Sequence, residues 1–162
     1  MFVKLFSDGA CSGNGQEGSS RGGYGVILKA YKNNEVIAER EYSQGYKNTT
    51  NNRMELLGVI IGFENLTKPC DVEVISDSKY VVDAFNQHWI DSWIKNGWKN
   101  SQKKPVKNRD LWERLLEGMK PHNVKFTWVK GHNDHPENER CDRLAVNAYN
   151  SDDLIDDTGF EE

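Results

Sequence analysis

Three acids in this sequence end or enter apolar segments, where a carboxylate needs a reason. "FVKLFSD" alternates up to Asp8, and "VEVISDS" is a compact apolar run that reaches Asp77. "NTTNNRMELLGVIIGF", residues 48–63, joins a run of capping-type residues to an almost wholly apolar stretch whose one acid is Glu55. At helical spacing the positions below Glu55 are Gly58, Val59 and Gly62, which suit close packing against another element. An unpaired buried carboxylate is costly, so Glu55 needs the helix N-terminus, Arg53, or a cation that the sequence does not contain. A fourth acid, Asp142, lies in "PENERCDRLAVNAYN" with Arg143 beside it.

Taken singly, Asp8 and Asp77 suit turns or helix caps, and Asp142 suits an exposed ion pair. Taken together they say more. Carboxylates gathered at one place raise one another's pKa unless a divalent cation holds them ionised. Oxygen-only ligands point to magnesium or manganese, because zinc recruits His or Cys at ligand spacing and no such cluster occurs here. A pair of such ions about 4 Å apart supports phosphoryl displacement, the chemistry of a nuclease.

The elements that must position these acids follow from the pattern of the chain. After Asp8 comes a glycine-rich stretch, "GACSGNGQEGSSRGG", which lacks the order of a phosphate-binding loop or a dinucleotide fingerprint. "YGVILKAY" and "EVIAEREYSQGY" flank Lys32-Asn33-Asn34 and predict a hairpin. A helix from the capping run, the strand "VEVISDS", and a second helix from Ser78 come next. A tryptophan-bearing segment, the helical "NRDLWERLLEGM", the strand "VKFTWVKGH" and a last helix entered at Pro136 complete the order βββαβαααβα. That order predicts an α/β fold, a mixed sheet with helices on its faces. Strand ends near a change of strand order are where ligands gather in such sheets.

A chain of 162 residues fits one domain. It has no long apolar run, and "MFVKLFSDGACSG" lacks the basic start and apolar stretch of a secretion signal, so the expectation is a cytoplasmic protein that does not engage a membrane. Cys11, Cys70 and Cys141 are odd in number and widely spaced, which predicts reduced residues in or near the core. The net charge of −4 hides two opposite segments. From Ser92 to Arg109 there are six cations and no acid, interleaved with Trp93 and Trp98, a surface suited to phosphates. From Ser151 to Glu162 there are six acids and no cation, which reads as a flexible acidic tail after a domain spanning residues 1–150.

"SDGACSGN", "GGYGVIL", "TTNNRMEL", "ISDSKYVV", "GWK", "KKPVKNRDLW" and "WVKGHNDHPENERCDRLA" together resemble the motif set of bacterial type 1 ribonuclease H, over nearly all of residues 1–150. The resemblance implies a ribonuclease H-like sheet of five strands in order 3-2-1-4-5. It also implies hydrolysis of the RNA strand of an RNA/DNA hybrid without strong sequence preference, leaving 5′-phosphate ends. Asp8, Glu55, Asp77 and Asp142 match the family's ligands for two magnesium ions, with manganese as a substitute, so that a cation becomes the partner of Glu55. His132, in "KGHNDHPE", matches a histidine that assists proton transfer or product departure. Asn14, Asn51 and Asn52 match contacts to the hybrid's minor groove, where the 2′-hydroxyl distinguishes RNA. Thr50 matches a contact to a DNA phosphate, and Trp89 a wall of the DNA-strand channel.

Lys95, Lys99, Lys103, Lys104 and Lys107 would grip phosphates without reading sequence, in a protein acting as a monomer. Trp93, Trp112 and Trp128 read as core aromatics, and His88 and His122 as structural. The glycine-rich turn is longer than the family's usual form, and Lys79 stands where glutamine is often found. A non-catalytic hybrid-binding module on the same fold is the main alternative. An integrase or junction resolvase, or a protein-interaction domain using the basic surface, fits the motif contexts less well.

Overall fold

The computed structural model describes residues 1–12, 20–130 and 135–160. Its strands are β1 (Phe2–Ser12), β2 (Arg21–Lys32), β3 (Glu35–Lys47), β4 (Asp71–Ser76), β5 (Asn123–Trp128) and β6 (Leu154–Asp156). Its helices are α1 (Asn51–Glu64), α2 (Lys79–Asn86), α3 (Trp89–Lys95), α4 (Arg109–Met119) and α5 (Pro136–Tyr149). The predicted alternation of elements holds through α5. Asn33 and Asn34 form the hairpin turn at φ 53° and 68°, the left-handed pair that a two-residue turn between twisted strands demands.

One mixed sheet runs in the order β5-β4-β1-β2-β3-β6. β1 pairs antiparallel with β2 and parallel with β4. The chain therefore builds outward from β1 on one side, then returns through α1 to build on the other. This reversal beside β1 is the switch point of the sheet, and its mouth lies beyond the C-terminal ends of β1 and β4.

Alternation along β1 feeds two cores. Val3 and Leu5 join the larger one, with Met54, Leu56, Val59, Ile60 and Trp112 from the helices on that face. Phe6 joins the smaller one with Ile27, Ile75 and Cys141 of α5 on the opposite face. Trp112 is fully buried, with Tyr80 and Trp93 ring centroids each 5.3 Å away. Cys70 and Cys141 are buried, Cys11 is half-buried, and all three are free thiols. Among the described residues no helix is long and apolar enough to cross a membrane.

Two expectations need correction. The sheet has six strands where five were expected: the expected order is present, with β6 added beside β3. The added strand comes from the segment read as a flexible tail. Leu154–Asp156 pairs in parallel with Gly45–Lys47, and Asp157 beyond it is buried against Arg53. A concentrated negative charge is tolerated there because a buried guanidinium meets it.

Candidate active site

Asp8 reaches the switch point opposite Gly25 of β2, two residues past Phe6, where the parallel pairing of β1 with β4 ends. Asp77 follows β4 directly, and the next residue, Ser78, caps α2 by accepting a hydrogen bond from the Val81 N–H at 3.4 Å. Glu55 arrives from above, on the second turn of α1, whose N-cap Thr50 accepts from the Arg53 N–H at 3.3 Å. Carboxylate oxygens of Asp8, Glu55 and Asp77 lie within 4.8 Å of one another. Asp142 approaches from α5 on the other face and is close enough to hydrogen-bond with the Asp8 carboxyl. The four acids that the sequence singles out are thus brought to one place by four different elements.

Their electrostatics are unfavourable without a counter-charge. Asp8 is 5% exposed and Glu55 7%. Burial first, then the charges of Asp77 and Asp142, push the Asp8 carboxyl up to about 8, and the Gly9 N–H donating to Oδ1 at 2.9 Å only partly opposes this. Glu55 is raised well above the carboxylate range by burial, then by Asp8 and Asp77. Its Oε2 is buried with no hydrogen-bond partner. Arg53, the candidate partner in the sequence, is fully committed elsewhere: its guanidinium meets Asp110 at 2.7 and 2.9 Å and Asp157 at 2.6 and 2.9 Å. A hard divalent cation fits what remains, an orphaned carboxylate oxygen in an all-oxygen donor set. Cys141, next to Asp142, packs with Phe6, Ile27 and Ile75 in the smaller core and stands apart from the grouped carboxylates.

A stability consequence follows from these shifts. With folded-state pKa values above the unfolded ones, the unfolded chain releases protons first as pH rises, so the penalty grows from the ordinary carboxylate range up to about pH 8. Metal-free Asp8→Asn should therefore melt above the unmodified chain by a margin that widens with pH, reaching about 5 °C at pH 8. Thermal melts from pH 5 to 8 read this margin, and adding magnesium should narrow it. A margin that stays constant with pH would refute the electrostatic account.

Close approach makes the geometry possible. A Cβ on Gly9 would stand 2.5 Å from the backbone N of Glu55 and 2.6 Å from the backbone C of Met54, so α1 crosses β1 where only glycine fits. Sequence reading passed over this glycine, although its place directly after Asp8 was a signal. It also missed the Arg53–Asp110–Asp157 group, for which no local signal existed.

The other predicted residues are distributed as follows. Asn51 and Asn52 occupy the first turn of α1, half-buried and exposed respectively, beside the half-buried Thr50. Trp89 opens α3 and is 43% exposed. Lys95 ends α3, and Lys99, Lys103, Lys104 and Lys107 line the exposed segment before α4. Asn14 and His132 lie outside the described residues. His122 is structural: its Nδ1 accepts from the Cys70 N–H at 3.0 Å. Trp128 corrects its core reading. It is 41% exposed, its indole N–H donates to the Asp77 carbonyl at 3.0 Å, and the Lys79 ammonium sits 4.7 Å from the ring centroid.

Comparison with known proteins agrees over nearly the whole length. The RNase H family profile matches residues 2–150. A protein named Ribonuclease H from Lachnoclostridium phytofermentans is 55% identical over 161 residues, covering 99% of this chain and all of the relative. Another Ribonuclease H, from Pseudoalteromonas atlantica, is 48% identical, covering 98% of this chain and 97% of its own. Among solved structures, LC9-RNase H1, described as a type 1 RNase H with the type 2 active-site motif, superimposes with a TM-score of 0.80 at 32% identity, over 92% of this chain and 72% of that one. The chain belongs to the ribonuclease H family and is an endoribonuclease that acts on the RNA strand of RNA/DNA hybrids.

Proposed function

We propose that this ribonuclease H works with two divalent cations, magnesium in the first place and manganese as a substitute, held by Asp8, Glu55, Asp77 and Asp142. The observation that carries this reading is the buried Glu55 carboxylate with an unpartnered oxygen, among acids within 4.8 Å of one another. When bound, such ions supply Lewis acidity to a phosphoryl displacement and offset charge on the attacking and leaving oxygens.

The chain's own groups then bind and orient the hybrid. Asn14, Asn51 and Asn52 present amides that both donate to and accept from sugars and base edges in the minor groove. Glu55 accepts from a 2′-hydroxyl, which links recognition of RNA to the reacting phosphate. Thr50 holds a phosphate of the DNA strand, and Trp89 lines the channel for its deoxyriboses. Lys95, Lys99, Lys103, Lys104 and Lys107 attract the backbone without reading its sequence. His132 moves a proton at the departing group, and the products carry 5′-phosphates. The protein acts as a monomer in the cytoplasm, a reducing location that its three free thiols support.

A non-catalytic hybrid-binding module is disfavoured, because the carboxylate set is complete and the relatives carry the enzyme's name. The discriminating experiment uses end-labelled RNA/DNA, RNA/RNA and DNA/DNA duplexes of one sequence, with and without magnesium. Cutting should occur only in the RNA strand of the hybrid and stop on chelation. Undiminished cutting after chelation would sink the metal reading, and tight binding without cutting would restore the binding-module alternative.

A further inference from the structure

The turn that leads into α1 is held from outside by the end of the chain. Asp157 is 7% exposed in its side chain, and both of its carboxylate oxygens are engaged. Oδ2 accepts from the Thr49 hydroxyl at 2.7 Å and from Arg53 Nε at 2.6 Å, and Oδ1 accepts from Arg53 Nη2 at 2.9 Å. One carboxylate thus grips two buried residues, Thr49 and Arg53, and the residues between those anchor points are Thr50, Asn51 and Asn52.

Neighbouring contacts close the same joint. The Thr49 N–H donates to Ser20 Oγ at 3.0 Å, and the Asp157 N–H donates to the Lys47 carbonyl at 3.2 Å. Gly159 packs so closely on Asp110 and Arg53 that a side chain there would strike both. Arg53 extends the joint to the end of the lysine-bearing segment: Nη1 donates to Asn108 Oδ1 at 3.2 Å and to Asp110 Oδ1 at 2.9 Å. The tip of α1 and the start of α4 are therefore registered against each other through one guanidinium that Asp157 fixes.

We infer that Asp157 is a positioning residue for substrate recognition: through Thr49 and Arg53 it holds the 50–52 turn in the shape that meets the hybrid. The inference rests on the reading that Thr50, Asn51 and Asn52 contact the substrate. A buried ion pair contributes little net stability compared with a well-packed apolar replacement, whereas it fixes a geometry, which is what a recognition turn needs. Asp157 does not touch the reacting phosphate, so its loss should appear in binding.

The test compares steady-state cleavage of an RNA/DNA hybrid by the chain and by its Asp157→Asn variant at saturating magnesium, well below both melting temperatures. The amide keeps the size of the carboxylate but loses one acceptor, while Arg53 retains Asp110. KM should rise about fivefold, with kcat within about twofold, since a misplaced binding turn removes uniform binding. Thr49→Val removes only the hydroxyl donor and should raise KM about twofold, which keeps the inference testable if Asp157→Asn folds poorly. Val72→Ala, in β4 away from the joint, serves as a destabilised control whose KM should match the unmodified chain. Unchanged KM in both Asp157→Asn and Thr49→Val, or an equal rise in Val72→Ala, would reduce Asp157 to a structural residue. Absence of hybrid cleavage by the unmodified chain would instead overturn the functional reading beneath it.

Discussion

Asp8→Asn should cut hybrid cleavage by on the order of a thousandfold or more while leaving hybrid binding within a few-fold. Asp8 is the acid through which the cluster is joined: its carboxyl feels Asp77 from β4 and Asp142 from α5, and it lies within 4.8 Å of Glu55 from α1. An amide in its place offers one neutral acceptor instead of two oxygens sharing a negative charge, so it would hold a divalent cation far more weakly. The substrate contacts proposed for the 50–52 turn and the exposed lysines do not pass through Asp8, so affinity should persist. Single-turnover cleavage of an end-labelled hybrid, paired with fluorescence anisotropy on the same duplex, measures both quantities. Cleavage within tenfold of the unmodified chain would remove Asp8 from the site.

Gly9→Ala should also damage the chemistry, though less than Asp8→Asn, for a reason that involves no lost ligand. The added methyl meets backbone atoms of Met54 and Glu55, which cannot swing aside as a flexible side chain does. The N-terminal part of α1 must therefore retreat from β1, and Glu55 retreats with it. A displacement on the order of 1 Å in a catalytic group costs about a hundredfold in kcat. Overpacking at the same place should also cost about 1–3 kcal/mol of stability. Cleavage assays under saturating hybrid, with circular dichroism to confirm folding, test this. A folded Gly9→Ala chain with unchanged kcat would show that α1 and β1 are not in such contact.

How much of this was readable in advance depends on the range of the interaction involved. The Thr50 cap, the Asn33-Asn34 turn and the elements through α5 are local matters of spacing and residue type, and they stood out. Asp8, Glu55 and Asp77 were legible because each interrupts or ends an apolar run, so its type conflicts with its surroundings, whereas Asp142, in a charged helix beside Arg143, stood out only as part of the motif set. β6 was not legible, since three residues are too few to show a period and its partner lies far back in the chain. Arg53 finds its acids 57 and 104 positions away, beyond any pattern in a window. Trp128 was misread because it shares strand parity with the buried Phe126 but stands at the last residue of β5, past the apolar cover.

The four elements that bring the acids together also fix the order in which activity is acquired. β1 lies inside the sheet and precedes the other described elements in sequence, whereas α5 with Asp142 is the last of the described helices and β6 follows it. Contacts between the first strand and the last helix are among the longest in sequence separation, so they close late and slowly. A growing chain therefore carries three of the four acids without the means to complete the cluster. Completion of the cluster therefore waits on the packing of α5 against β1 and β2, the elements farthest from it in sequence that it touches.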